Sequence, residues 1–352
     1  MKEYSSLDEI LHNQFLGNSS LSNYLYQRLI NNNLNSKNYK SANHIFITGL
    51  ARSGTTALLN KLYSSGEIPS LLYKHMPFIL NPSLARIFSN FINEDNDLSI
   101  ERFHKDGIKI NNNSPECLDE VFWLKSFDYK KKSYLLRYKK ISKNILNGYG
   151  LLLSKFAKIQ NSERILIKNN NNHLRIEILS NYFKESTFFI MFRDPIYHSL
   201  SLLNSHKNFI ELQNKNKFIL NYMNLLGHFE FGLNKKPFVY SNKDNLWFKN
   251  LNNYDIEYWL MQWIETYKWI LDNKFFKRNN VKLINYENLC NDCFYYYRIC
   301  NLVGIRNVET GDPFKLSNKI NKFNNLKLNM KNNKILELAN DIYSDLLKIS
   351  LS

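Results

Sequence analysis

HIFITGLARSGTTALLNKLY, residues 44–63, decides how this chain folds. It opens with a short apolar run at His44–Thr48, turns through a segment bounded by Gly49 and Gly54, and continues with helical spacing to Tyr63. That is a strand–loop–helix unit. Three further runs, Arg164–Ile167, Thr187–Phe192 and Val281–Ile284, are also compact and continuously apolar rather than alternating. Such runs fit strands covered on both faces, as in a parallel sheet. Helical patterns separate them. Asp255–Lys277 reads as one long helix, with Trp259, Gln262, Trp263, Thr266 and Ile270 at helical intervals. The expected fold is α/β: a P-loop-like three-layer domain with a central parallel sheet and helical insertions.

Working outward, residues 1–42 read as a helical extension ending in an Asn-rich connector, with Leu7, Ile10 and Leu11 on one face and Tyr24, Leu25 and Arg28 on another. Residues 43–305 read as the core of a single domain spanning 1–352, and 306–352 as a C-terminal extension. Within the core, residues 208–253 lack a clean period and read as a lid insertion or a surface excursion. The chain is 44% hydrophobic and 14% aromatic, which supports a packed core. Its formal charge of +16 suits a polyanionic partner such as a phosphorylated or sulfated ligand, an acidic membrane surface or nucleic acid. The Lys residues are scattered, however, which also fits plain solvation and gives nucleic acid no localised footprint.

Cys117, Cys290, Cys293 and Cys300 do not form a disulfide framework. Cys290 and Cys293 make one C-x-x-C, but zinc would need a second pair, so burial on a helix is the expected role. The N-terminus lacks a basic-then-apolar leader, and the most apolar segment, Phe188–Phe192, is too short to span a bilayer. A soluble, cytoplasmic setting is expected, with peripheral membrane contact left open.

The loop Gly49-Leu50-Ala51-Arg52-Ser53-Gly54-Thr55-Thr56 follows a strand and opens a helix. Small residues there let backbone N–H groups close on an anion, and the helix N-terminus adds partial positive charge. The two glycines have the spacing of a nucleoside-triphosphate loop, but Thr55 stands where that loop carries its Lys. That argues against ordinary ATP or GTP hydrolysis. The cation comes earlier, at Arg52. A second element begins at Arg193-Asp194-Pro195, after the strand Thr187–Phe192, with Ser201 eight residues beyond Arg193. Asp194-Pro195 can start a helix, which puts the Arg193 guanidinium and the Ser201 hydroxyl within reach of one phosphate. Alone, Arg193 would read as a helix-end charge. Together the two elements suit a nucleotide with two separate phosphate groups.

These elements resemble the superfamily of sulfotransferases that use 3′-phosphoadenosine 5′-phosphosulfate (PAPS). Arg52-Ser53-Gly54-Thr55-Thr56 resembles its 5′-phosphosulfate loop, and Arg193 with Ser201 its 3′-phosphate site. Tyr286-Glu287-Asn288-Leu289 is similar to an element whose Tyr lies by the adenine, and Lys168 to a Lys near the transferred group. The chain departs from the cytosolic phenol and steroid enzymes at Asn170, where they place a His, and at Ala57, where they place a stacking Trp. It looks closer to bacterial and tyrosyl-protein-type members. The resemblance runs from about His44 to Ile305, roughly three quarters of the chain. It implies PAPS as co-substrate, adenosine 3′,5′-bisphosphate as product, no metal, and a hydroxyl or amine acceptor such as a glycan or small metabolite.

Transfer needs a base for the acceptor proton. Ser114-Pro115-Glu116 reads as a helix start, with Ser114 as cap and Pro115 at the first position. Glu116, Asp119, Glu120 and Trp123 would then share one face. Partial burial beside Trp123 would raise a carboxylate pKa toward a useful value. Good capping by acidic residues is the plainer account of the same pattern. His75 and His104 are rival bases, and the sequence does not choose among Glu116, Glu120, His75 and His104. Two other classes stay open at this point: a triphosphatase or kinase of related fold, and a non-catalytic basic protein that binds nucleic acid.

Overall fold

The structure, a computed structural model, describes residues 6–17, 19–31, 42–90, 99–101, 108–116, 118–127, 134–136, 140–240, 246–308, 314 and 333–351. His104 and Cys117 lie outside them. Four parallel strands form the central sheet: β1 (Ile45–Thr48), β2 (Leu166–Lys168), β3 (Thr187–Phe192) and β4 (Val281–Asn285). Their order is β2-β1-β3-β4. Ile47 pairs with Lys168 on one side of β1, Thr48 with Ile190 on the other, and Phe192 with Asn285 beyond. Each strand matches a run expected from sequence, shifted by two residues at most. The chain leaves β1 toward one edge and later returns past it to β3. The β1/β3 edge is therefore the switch point where open α/β sheets bind ligands.

Alternation along the strands sorts the core into two layers. Phe46, Ile167, Phe188, Ile190, Phe192 and Leu283 face one side. Ile45, Ile47, Leu166, Phe189, Met191 and Ile284 face the other. The second layer is covered by α1 (Thr55–Tyr63), through Leu58, Leu59 and Leu62, and by the helix Cys293–Leu302. The first is covered mainly by α3 (Lys143–Ile159), α4 (Pro195–Lys215), α5 (Ile256–Asp272) and α6 (Asn333–Ile349). Stacked Phe46 and Phe188, 4.5 Å between ring centres, mark its middle. Between the layers of helices runs the short α2 (Glu120–Ser126), whose Val121, Phe122 and Trp123 are buried.

Several local expectations change. The helix expected over Asp255–Lys277 stops at Asp272, because Lys274 adopts φ +52°, a left-handed turn that starts a separate 3₁₀ segment, Phe275–Lys277. No helix begins at Ser114. Pro115 bridges to Leu72 instead, the Ser114 hydroxyl accepts from the Asn111 amide, and the helix starts four residues after Glu116. Residues 208–253 are not patternless. They complete α4, form the helix Lys217–Leu226 with Ile219, Met223 and Leu226 buried, and add Phe238–Val239 in parallel to Leu135–Leu136. The N-terminal extension is two helices, Ser6–Leu16 and Ser20–Asn31; Leu25 is buried but Tyr24 faces out. Cys300 is buried as expected, whereas Cys293 is exposed on the first turn of its helix. Among the described residues, no helix is long and apolar enough to cross a membrane.

Buried histidines hold turns together in their neutral form. His44 accepts the Ile165 amide, His75 the Leu72 amide and His206 the Gly232 amide, all through Nδ1. Only an unprotonated nitrogen can accept. Burial lowers His44, His75 and His206 to about 4, and His173 and His198 to about 3. These values lie below the unfolded value of about 6.5, so the unfolded chain binds more protons between pH 6.5 and 4. The histidine contribution to stability is complete above pH 6.5 and is lost as pH falls. Each histidine loses at most about 1.4 kcal/mol per pH unit in that window. The melting temperature should drop steadily from pH 7 to pH 4; a flat profile would contradict the neutral assignment.

Candidate functional site

The loop after β1 is shaped by two glycines. Gly49 has φ +139°, and a Cβ there would sit 2.4 Å from the Met191 carbonyl oxygen on β3. Gly54 has φ +96°, and its Cβ would fall 2.2 Å from the Tyr286 ring. Any side chain at either position would push the loop off its neighbours. Gly54 offers no side-chain cap to the N–H groups that open α1. His198, inside α4, binds the loop from below: its Nε2 donates to the Ala51 carbonyl at 2.8 Å. Arg52 itself adopts φ +73°. That backbone turns its guanidinium toward α4, where Nε donates to the Ser201 hydroxyl at 3.2 Å.

This contact joins the two elements read separately from sequence. Arg193, at the end of β3, lies on the same edge. Its Nε makes no hydrogen bond, only an ion pair with Glu287 at 3.5 Å, and its guanidinium stands 5.2 Å above the Tyr286 ring. Asp194 caps α4 through the Ile196 and Tyr197 amides, as its sequence position suggests. The Glu287 carboxylate accepts the Asp194 amide and, from the far helix α6, the Tyr343 hydroxyl at 3.3 Å. Burial, the larger influence, raises the Glu287 pKa, while Arg193 acts to lower it.

Lys168 ends β2 almost fully buried, with Nζ 3.1 Å from Glu116. Glu116 also accepts from the Tyr73 hydroxyl at 3.4 Å. The next four residues are all Asn, all buried, and each serves a different neighbour. Asn169 donates to Asp119 and Glu120, at 3.1 and 2.8 Å. Asn170 accepts the Thr55 hydroxyl through its side chain and the Thr48 hydroxyl through its carbonyl, both at 3.0 Å. Asn171 donates to the Gly227 carbonyl at 3.4 Å. Asn172 accepts from Arg175.

The remaining base candidates separate. Glu120 is 2% exposed and bound by Arg175 through two contacts, 3.1 and 2.5 Å, while Arg175 lies over Trp123 at 4.6 Å. It therefore sits in a closed ion pair, not one helical turn from Glu116 on a shared face. Asp119, also buried, accepts from Tyr149 at 2.7 Å, and burial raises its pKa to about 6. His75 uses Nδ1 on the Leu72 amide and packs against Phe156. Glu116 instead contacts Lys168.

The sulfotransferase family model matches residues 44–223, half of the chain, from β1 through the loop, Lys168, Arg193 and Ser201. The chain belongs to the sulfotransferase family. Among solved structures this sulfotransferase is similar to sulfotransferase STF9 from Mycobacterium avium, at 13% identity over 96% of this chain and 83% of that one, with a TM-score of 0.49. It is also similar to sulfotransferase STF1 from Mycobacterium tuberculosis H37Rv, at 10% identity over 87% and 86%, with a TM-score of 0.44. No curated protein matches it.

Sequence reading missed His198, although it lies inside the Arg193–Ser201 interval that carries the motif. It also missed His228 and Glu230, which form a pair at 3.7 Å, and Tyr343, far along the chain with no local signal. The closed ion pair yields a stability expectation. Arg175→Met should cost about 3–5 kcal/mol by leaving the Glu120 charge uncompensated. Adding Glu120→Gln should recover part of that loss. A double-mutant cycle by urea denaturation measures the coupling, and additive losses would dissolve the pair.

Proposed function

We propose that this enzyme transfers a sulfuryl group from PAPS to a hydroxyl or amine acceptor. The contact between Arg52 and Ser201 carries the reading: two residues 149 apart in sequence meet at the β1/β3 switch point. One cleft then offers the loop for a 5′-phosphosulfate and, beside it, Arg193 and Ser201 for a 3′-phosphate. The cradle fits such a ligand, since Gly49 and Gly54 leave room only for backbone and the Arg193 Nε has no hydrogen-bond partner. Tyr286, packed on Gly54 beneath Arg193, would border the adenine.

In this reading Arg52 and the N–H groups opening α1 stabilise the charge that develops on the leaving phosphate. Lys168 contacts the sulfonate, held in place by Glu116. Ser53, Thr55 and Thr56 belong to the loop; Thr55 is tied to Asn170 and so fixes the start of α1 against β2. The acceptor is a glycan or a small metabolite, and the net positive charge does not decide between them.

Adenosine 3′,5′-bisphosphate should stabilise the protein by about 2.7 kcal/mol at a hundred times its dissociation constant, raising the melting temperature by a few degrees. Adenosine 5′-monophosphate should do much less, and Arg193→Ala should narrow the gap between the two. Thermal shift with both ligands and with ATP–magnesium tests this; stabilisation by ATP–magnesium alone would turn the reading to a triphosphate enzyme. Arg52→Ala should lower turnover of PAPS roughly a hundredfold or more with the fold retained. Near-normal turnover would remove Arg52 from the mechanism.

A further inference from the structure

The loop after the helix Lys217–Leu226 is tied to the turn that follows Lys168 and carries titratable groups that the donor site does not use. Gly227 takes φ +74°, and a Cβ there would meet Glu120 Cγ at 2.7 Å. Glycine lets the loop press onto the start of α2, while Asn171 holds its carbonyl. Asn171 and Asn170 are neighbours, and Asn170 binds Thr55 of the phosphate loop. His228 is thus one residue from a backbone anchored to the turn that follows Lys168. Its own amide donates to the Met223 carbonyl at 2.9 Å, which fixes its placement.

The His228 ring is 22% exposed, and its Nδ1 lies 3.7 Å from the Glu230 carboxylate, itself 7% exposed. That is ion-pair distance, longer than a formed hydrogen bond. The charged groups acting on His228 come from three segments: Glu230 on its own loop, Lys168 at the end of β2, and Glu116 before α2. Burial and Lys168 act to lower its pKa, Glu230 and Glu116 to raise it, and the result is a rise. The five buried histidines described above shift the other way. Nδ1 toward Glu230 leaves Nε2 as the nitrogen for a substrate proton.

We propose that His228 is the base that deprotonates the acceptor and that Glu230 is its positioning residue, a proposal that rests on the sulfuryl-transfer reading above. The acceptor oxygen or nitrogen forms its bond to sulfur while the bond from sulfur to the bridging phosphate oxygen breaks. The electron pair of that bond stays on the phosphate beside Arg52. The acceptor proton passes to His228 Nε2, and the products are the sulfated acceptor and adenosine 3′,5′-bisphosphate. The arrangement follows the general scheme of a base oriented by a third group.

The test combines rates with histidine NMR on the full chain. Labelled-sulfate PAPS is offered with water, phenol and glucosamine as probe acceptors. His228→Gln should reduce transfer about a hundredfold or more and flatten the ascending limb of the pH–rate profile. Glu230→Gln should keep that limb but move it to lower pH, because the imidazolium loses its carboxylate. Both variants should still be stabilised by adenosine 3′,5′-bisphosphate. In nitrogen-resolved NMR, the resonance that vanishes in His228→Gln should titrate above 6.5 and carry its neutral-form proton on Nδ1, and Glu230→Gln should lower that titration. Wild-type transfer in His228→Gln, or a neutral form protonated on Nε2, overturns His228 as base while leaving the donor reading intact. Failure of adenosine 3′,5′-bisphosphate to stabilise the wild type overturns both.

Discussion

The site depends on four consecutive buried amides. Asn169 to Asn172 follow the end of β2, where a parallel strand must turn away inside the protein rather than in water. Buried amides require partners, and a polar turn at this depth persists only if surrounding elements supply them. Here the partners come from α2, from the phosphate loop, from the loop at Gly227 and from Arg175. One turn therefore sets the relative positions of the donor loop, the acidic helix and the His228 loop. The phosphate loop is also held by β1, α1, the His198 contact and the contact from Arg52 to Ser201.

Three cations in and around the cleft, Arg175, Lys168 and Arg193, are each paired with a carboxylate, with different consequences. Arg175 and Glu120 are sealed from solvent, share Asn neighbours and act as framework. Lys168 and Glu116 sit at the border, 5% and 11% exposed, where a ligand can reach them. Arg193 and Glu287 form the loosest of the three pairs and are the most exposed. In the proposed reading an entering phosphate competes with Glu287 for the guanidinium. Burial raises the Glu287 pKa and Arg193 acts to lower it, so the carboxylate and the guanidinium are linked in that exchange. Tyr343 brings α6 to the same carboxylate, so the C-terminal helix borders the proposed nucleotide site as well as packing against α5.

What was legible in the sequence was whatever a short window could hold. Four apolar runs gave the strands, because strands buried on both faces need no distant information to be recognised. The glycines and Arg52 gave the loop, and Arg193-Asp194-Pro195 with Ser201 gave the second element. The start of α2 was misplaced because Ser114-Pro115 has the chemistry of a helix cap; the bridge from Pro115 to Leu72 takes precedence. Glu116 and Glu120 looked alike in sequence, and only the fold separates them, by giving one Lys168 and the other Arg175. The His228–Glu230 pair left no signal, since its meaning lies in the Lys168 contact region across the fold. The helix expected over Asp255–Lys277 was over-extended because a single residue, Lys274, enters the left-handed region that composition does not announce.

Arg52 is the other left-handed residue that matters. A branched or long side chain at φ +73° costs roughly 1 kcal/mol relative to glycine. Backbone economy and chemistry therefore pull in opposite directions at one position. A population of variants selected only for heat tolerance would drift toward glycine at residue 52, gaining a relaxed loop and losing the guanidinium that reaches Ser201. Under the role proposed for Arg52, the strained arginine is a point where thermostability and turnover trade against each other, and directed evolution of this scaffold would need both selections at once to keep it.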